Sequence, residues 1–533
     1  MAASSTGTTD GVARSAGLAG VATLTSRVLG LARDQVLASI FGAGNEMDAF
    51  VVAFRLPNLV RDLFAEGAMS AAFVPTFTKE LTIGGKGPAW RIGNQVITAL
   101  FAITGVLVIG AIVFAPSLVA LYAADFASVP GKLELTIRLA RIMLPFLTLA
   151  AIAAALMGML NSLHYYFVPA LSPATFNVAT IVCAIALVPL MPALGWPRIT
   201  AIAIGTILGG AAQIALQWPA LSREGFRLRP SIDWRDPVLR RVLLLMGPGT
   251  LGLAATQVNL FVSTLLATRE GTGAVSWLQY AFRLMYLPIG LFGVSIATAV
   301  LPAASRHAAA ADRAAIARTV ARGVALMLFI NVPASFGLIV LAHDIVQLLF
   351  EHGRFLPSDT AATAAALQCY AIGLIGYSTA RIASPVFYVL GQSRIPVLLS
   401  TASIAVNILL SLALANRFGF RGLALATALA ALVNGAGSLI LLRKRLGGLD
   451  ERRLAATFGK TVVAAVAMTA AVLTIVHGLS TIAPGGGTPL EAARVLAAIV
   501  GGLLTLAVGA KLLGISEFDE MLGEMRTRAQ KLL

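Results

Sequence analysis

Residues 92–115 read IGNQVITALFAITGVLVIGAIVFA, a stretch without one charged side chain. About 20 consecutive apolar residues suffice for a helix to cross a bilayer's hydrocarbon core. This stretch therefore predicts a spanning helix. Similar stretches lie near 11–40, 46–79, 135–160, 170–190, 199–220, 239–267, 272–303, 318–342, 361–390, 396–415, 422–442, 457–479 and 490–513. The chain is read as all-α, a polytopic membrane protein with about fourteen transmembrane helices. Composition agrees. Of 533 residues, 58% are hydrophobic and 12% charged, whereas a soluble domain is roughly a quarter charged. A soluble multidomain enzyme is excluded. Two cysteines, Cys183 and Cys369, sit in apolar runs and read as packing residues, so a disulfide scaffold is excluded as well. The opening MAASSTGTTD lacks the charged region of a cleaved signal, so the first span is expected to stay in the mature chain.

The formal charge is +16. In a soluble protein that would suggest nucleic acid; in a membrane protein it first suggests cytoplasmic loops. With the N-terminus inside and one crossing per span, the inner segments hold 25 of the 40 basic residues and the outer ones 8. Both termini are expected to be cytoplasmic, Arg443-Lys444-Arg445 is a topology flank, and nucleic acid is not an expected partner. The chain also repeats. Ala-Phe-Arg-Leu stands at 53–56 and again at 281–284, Leu63-Phe64 recurs as Leu291-Phe292, and Pro75 and Pro169 recur as Pro302 and Pro396. The offset is 227 or 228 throughout. It predicts two pseudo-symmetric six-helix lobes, 1–222 and 223–445, with two further spans and a tail in 446–533. Parallel repeats of this kind belong to transporters that open alternately to each side, with the site between the lobes.

An arginine at the centre of a spanning helix costs about 2.5–3.5 kcal/mol to insert, so it must face a cavity or a partner. Span 1 carries Arg27, Arg33 and Asp34; span 2 carries Asp48, Arg55, Arg61, Asp62 and Glu66; span 8 carries Arg283 and span 10 Arg381. Arg27 and Asp34 are seven residues apart, as are Asp48, Arg55 and Asp62, so each set shares a helix face. Arg61 is expected to project about 100° away from Asp62. The arginine excess calls for an anionic ligand, and guanidinium forks suit phosphate. Pro57 and Pro288 are candidate hinges, Gly247-Pro248-Gly249 a candidate break at the start of span 7, and His164-Tyr165-Tyr166 a candidate interface belt. No nucleotide-binding loop, zinc-ligand spacing or nucleophile elbow occurs, so neither a cofactor nor an ATPase is expected.

Ser26-Arg27-Val28-Leu29-Gly30, Ala32-Arg33-Asp34, Phe41-Gly42-Ala43-Gly44, Asp48-Ala49-Phe50, Leu56-Pro57-Asn58-Leu59, Phe64-Ala65-Glu66-Gly67-Ala68 and Ala72-Phe73-Val74-Pro75 resemble the MurJ/MviN lipid II flippases. These belong to the multidrug/oligosaccharidyl-lipid/polysaccharide exporter superfamily. Val275-Ser276-Trp277 and Arg283-Leu284 extend the match into span 8. The resemblance implies a multi-pass flippase of the bacterial inner membrane. It would move lipid II, the undecaprenyl-pyrophosphate disaccharide-pentapeptide, to the periplasmic leaflet for peptidoglycan synthesis. It also implies a monomer among membrane lipids rather than an enzyme. Matching motifs carry the family's cavity arginines onto Arg27, Arg33, Arg61 and Arg283, with Asp34 and Asp48 as acidic partners; Arg55 joins them from the residue reading. Spans 13 and 14 would form the groove for the lipid tail. Two positions depart from the family: Phe282 stands where an aspartate often precedes the span 8 arginine, and span 7 offers Gln257, Asn259, Ser263 and Thr264 but no carboxylate. The competing readings are a flippase for another polyprenyl-pyrophosphate-linked oligosaccharide, a drug exporter of the same superfamily, and a membrane enzyme acting on polyprenyl phosphates.

Overall fold

The structure is a computed structural model that describes residues 6–62, 69, 72–482 and 487–530. Leu63 and Phe64-Ala65-Glu66-Gly67-Ala68 lie outside the described residues, as do the side chains of Leu291 and Phe292. No strand occurs among the described residues.

The helices follow the apolar stretches. In chain order they are α1 (Thr6–Phe41), α2 (Asn45–Asp62), α3 (Val74–Gly84), α4 (Lys86–Val113), α5 (Ala115–Tyr122), α6 (Lys132–Met143), α7 (Phe146–Ser162), α8 (Phe167–Leu187), α9 (Thr200–Arg223) and α10 (Pro237–Ala267). There follow α11 (Ala274–Pro288), α12 (Val294–Ala309), α13 (Arg313–Val340), α14 (Ala342–Phe350), α15 (Pro357–Ile372), α16 (Leu374–Val389), α17 (Arg394–Phe418), α18 (Phe420–Leu446), α19 (Glu451–Ile482), α20 (Thr488–Leu512) and α21 (Ser516–Gln530). Each of the fourteen predicted spans falls on one helix or a consecutive pair. Among the described residues nine helical segments are individually long and apolar enough to cross a membrane, and α15 with α16, bent by 42°, makes a tenth. Helix α2 stands outside that set because its 18 residues carry Glu46, Asp48, Arg55, Arg61 and Asp62.

Several spans are broken where the hydropathy pattern gave no sign. Span 4 divides into α6 and α7 around Leu144 and Pro145, where proline removes a helical N–H. Span 8 divides into α11 and α12 through a π-wound segment, Ile289–Gly293, directly after Pro288. Residues 69, 72 and 73 of span 2 are also π-wound. Local π-winding is frequent at functional sites. Gly247-Pro248-Gly249 behaves otherwise than expected: the backbone of α10 stays helical through it.

The contacts divide the chain into two compact units, Met1–Ser276 and Trp277–Leu533. The first has a core of Phe73, Phe77, Ile92, Val96, Leu156, Met159, Phe226 and Val242. The second packs Val320, Val324, Val332, Val386, Phe387 and Leu442. There α16 and α18 approach so closely that a side chain at Gly435 would lie 2.7 Å from the carbonyl oxygen of Gly376. Small residues permit this proximity within a bilayer. Helix α21 packs on α13 through Phe518, whose ring lies 6.0 Å from that of Phe329 beside buried Ala510 and Ile515, and buried Glu517 accepts from Arg453 of α19 at 2.9 Å.

Candidate functional site

The N-terminal unit holds two of its arginines, Arg33 and Arg61, beside carboxylates. Nε and Nη2 of Arg33 donate to Oδ1 of Asp34 at 3.1 and 2.7 Å. The same guanidinium lies 5.8 Å from the Phe176 ring centre of α8. Two turns earlier, Asn177 of α8 donates to the carbonyl oxygen of Ser26 at 3.1 Å. That bond fixes the backbone carrying Arg27, which is half-buried and has no ion pair among the described residues. Arg61 repeats the Arg33 pattern, with Nε and Nη2 donating to Oδ1 of Asp62 at 3.0 and 2.6 Å. Gln257 of α10 reaches the other Asp62 oxygen at 3.5 Å. Neighbouring residues on a helix do not face each other, and Arg61 was expected to project away. Its four-bond stem instead curls back. Arg55, half-buried, lies within electrostatic reach of Tyr122, whose ring packs on Phe261 at 4.7 Å.

Asp48 differs from the wet face its spacing suggested. It is fully buried, and four donors surround it. Lys132 Nζ and the Gly273 N–H donate to Oδ2 at 2.9 and 2.7 Å; the Ser276 N–H and Oγ donate to Oδ1 at 3.1 and 2.7 Å. A buried carboxylate is tolerated when paired and hydrogen-bonded in this way. It joins α2, α6 and the first turn of α11. One turn away, Thr272 Oγ1 donates to Asn45 Oδ1 at 2.9 Å. These pairs are 227 and 228 residues apart, the offset of the sequence repeat. Lys132 and Ser276 had not stood out as partners of Asp48. Nothing local marks them: the partner of Lys132 is 84 residues away.

In the C-terminal unit aromatic rings gather beside Arg381 and around Phe282, the neighbour of Arg283. Arg283 is half-buried on α11. Phe282 packs on Tyr286, Tyr370 and Tyr377 at 5.7, 5.5 and 6.4 Å. Arg381 of α16 donates to the Tyr286 hydroxyl at 3.3 Å and lies 5.8 Å from that ring's centre. The position where an acid was missed is thus the hub of an aromatic cluster. At the start of α11, Trp277 Nε1 donates to Asp359 at 2.9 Å. Among the described residues no group of His, Cys, Asp or Glu could hold a metal ion.

The family model described as "Lipid II flippase MurJ" matches residues 37–486. The chain belongs to the MurJ family. A MurJ relative from Vibrio cholerae serotype O1, named a probable lipid II flippase, is 35% identical over 461 residues, 85% of this chain and 86% of the relative. The lipid II flippase MurJ of Burkholderia cenocepacia is 33% identical over 427 residues, 79% of this chain and 82% of that one. A solved lipid II flippase MurJ in an inward closed conformation superposes with a TM-score of 0.75 at 26% identity, covering 93% of this chain and 99% of that one. An inward-facing multidrug resistance MATE transporter of the MOP superfamily superposes with a TM-score of 0.65 at 13% identity, covering 81% of this chain and 99% of that one, a likeness of fold alone. Like its MurJ relatives, the chain is a multi-pass membrane protein.

Proposed function

We propose that this chain is a transporter that flips lipid II from the cytoplasmic to the periplasmic leaflet of the bacterial inner membrane by alternating access. The observation that carries the reading is the set of half-buried arginines on α1, α2 and α11 in a chain of the MurJ family. Guanidinium groups kept out of lipid by partners still present donors to a pyrophosphate. Arg27, Arg33, Arg61 and Arg283 are the proposed anion contacts, and Arg55 supplements them. Asp34 orients Arg33. Asp48 acts by fixing the backbone at the start of α11, because its oxygens already accept four hydrogen bonds. The sugar-peptide head crosses in water while the polyprenyl tail remains in lipid, with α19 and α20 lining the tail's path. The working divisions are 1–222, 223–445 and 446–533, the protein acts as a monomer, and both termini are cytoplasmic.

Depletion of the protein in its host, with lipid II followed by leaflet, tests this directly. Accumulation on the cytoplasmic side is expected. Unchanged distribution, or accumulation of a different polyprenyl-linked saccharide, would overturn the substrate assignment. Single replacement of Arg27, Arg61 or Arg283 by alanine should abolish rescue of the depleted strain at normal membrane levels. Full rescue by all three would sink the residue assignment.

A further inference from the structure

A second charged recess lies in the N-terminal unit, apart from these arginines. It is a cleft of about 370 Å³ between α3 and α10, lined by Ala72, Pro75, Thr76, Lys79, Glu80, Pro237, Val238, Arg241 and Leu245. The charges are arranged on two walls. Lys79, Glu80 and Thr76 come from α3, and Arg241 faces them from the first turns of α10. Among the described residues none of Lys79, Glu80 and Arg241 is in an ion pair. Thr76 donates its hydroxyl proton to the Ala72 carbonyl at 2.8 Å, so its oxygen serves as an acceptor. Thr76 and Glu80, four residues apart, share a helix face. The recess therefore offers two cations and, beside them, two acceptors, one of them anionic.

Both walls lie near helix ends. Helix α3 ends at Gly84, four residues beyond Glu80, and α10 begins at Pro237. The segment leading into α10 carries Arg227, Arg229 and Arg235, and the backbone at Arg229 is tied to Asn94 of α4 at 2.9 Å. Just beyond Arg241, Leu244 and Leu245 are exposed on α10, apolar surface suited to a lipid chain. Basic pockets between helices at the membrane surface hold lipid headgroups.

We propose that this cleft binds an ethanolamine phospholipid, with its phosphate between Lys79 and Arg241 and its primary ammonium on Glu80 and Thr76. The carboxylate distinguishes this ligand from a purely anionic lipid, which Glu80 would repel. The ammonium N–H groups distinguish it from a choline lipid, which carries the same charge but cannot donate.

Native mass spectrometry of the full chain in detergent tests the assignment, using phosphatidylethanolamine, phosphatidylcholine and phosphatidylglycerol of identical acyl chains. The ethanolamine lipid should be retained over the choline lipid by about tenfold, the worth of one charge-assisted hydrogen bond. Glu80→Gln should reduce that preference several-fold. The Lys79→Ala/Arg241→Ala pair should cost about fivefold per cation removed. All these side chains are exposed or half-exposed, so the variants should fold, and thermal melting verifies it; Lys79→Gln alone serves if the double variant does not. Equal retention of ethanolamine and choline lipids would overturn the proposal. So would tighter retention of the glycerol lipid that Glu80→Gln leaves unchanged, or retention untouched by loss of both cations. Displacement by soluble phosphoethanolamine would reassign the cleft to a water-borne ligand.

Discussion

The two units keep arginine within apolar helices by different chemistry. In the N-terminal unit Arg33 and Arg61 each fold back onto the next residue in sequence, an aspartate. In the C-terminal unit Arg381 rests against Tyr286, and Phe282, the neighbour of Arg283, gathers three tyrosine rings. A carboxylate cancels the charge it holds. An aromatic face attracts a cation through its quadrupole, for about 0.5–2 kcal/mol, and leaves the net charge standing. The pairs of the first unit thus position donors at low field, and Arg381 in the second keeps its charge in no ion pair among the described residues.

The contrast can be broken most forcefully at Asp48. Removing one member of a buried ion pair costs about 3–5 kcal/mol. Asp48→Ala should therefore lower the melting temperature in detergent more than any other change considered, because Lys132 keeps its charge in a site only 3% exposed. Melting within a degree of the parent would show that Lys132 finds another partner. Next comes Asp34→Asn. It weakens a hydrogen bond to a charged group, worth about 1.5–3 kcal/mol, yet it frees the charge of Arg33. Stability should fall while affinity for a soluble pyrophosphate, read by calorimetry, rises; a fall in both would make Asp34 part of the anion site.

A comparable effect is expected at Phe282. Phe282→Leu removes ring contacts worth about 0.5–1.5 kcal/mol per pair, with pyrophosphate affinity unchanged. Phe282→Asp adds a carboxylate beside Arg283 and should lower that affinity as well. If both variants bind alike, the aromatic cluster does not govern the field at Arg283. The smallest effect belongs to Glu224, which follows α9. Hydrogen bonds from Lys86 at 2.9 Å and from Tyr165 hold its carboxyl below the usual carboxylate range. A depressed folded value stabilises above the unfolded value and is lost as pH falls through the folded one. Melting should drop slightly more between pH 5 and pH 3 in the parent than in Glu224→Gln; identical pH profiles would remove Glu224 from the account.

Hydropathy revealed the spans because insertion depends on the summed apolar character of about 20 residues, a property of the sequence alone. Residues 92–115 needed no partner to be read, and they lie mostly within α4. The breaks were less legible. Pro145 and Pro288 were visible as prolines, but whether a helix bends, π-winds or continues at them depends on its neighbours, and α10 continues through Pro248. The candidate arginines could be found because charge in hydrocarbon is anomalous. Their settings could not, because helical spacing describes where a Cβ points and says nothing of where a long side chain ends. Arg61 shows this, returning to Asp62 against its projected direction. Asp48 shows it more strongly: its donors come from positions 132, 273 and 276, and no local pattern announces them.

The bond between Asp48 and Ser276 has a consequence for how such a chain could arise. Should the 228-residue repeat mark a duplicated half, the two positions are equivalent, and in a pair of identical subunits that residue would have met itself. Two aspartates there would repel, and two serines would leave the lysine without its counter-charge. Fusing the copies into one polypeptide lets one position keep the acid while the other supplies the donor, an asymmetry that no homodimer can encode.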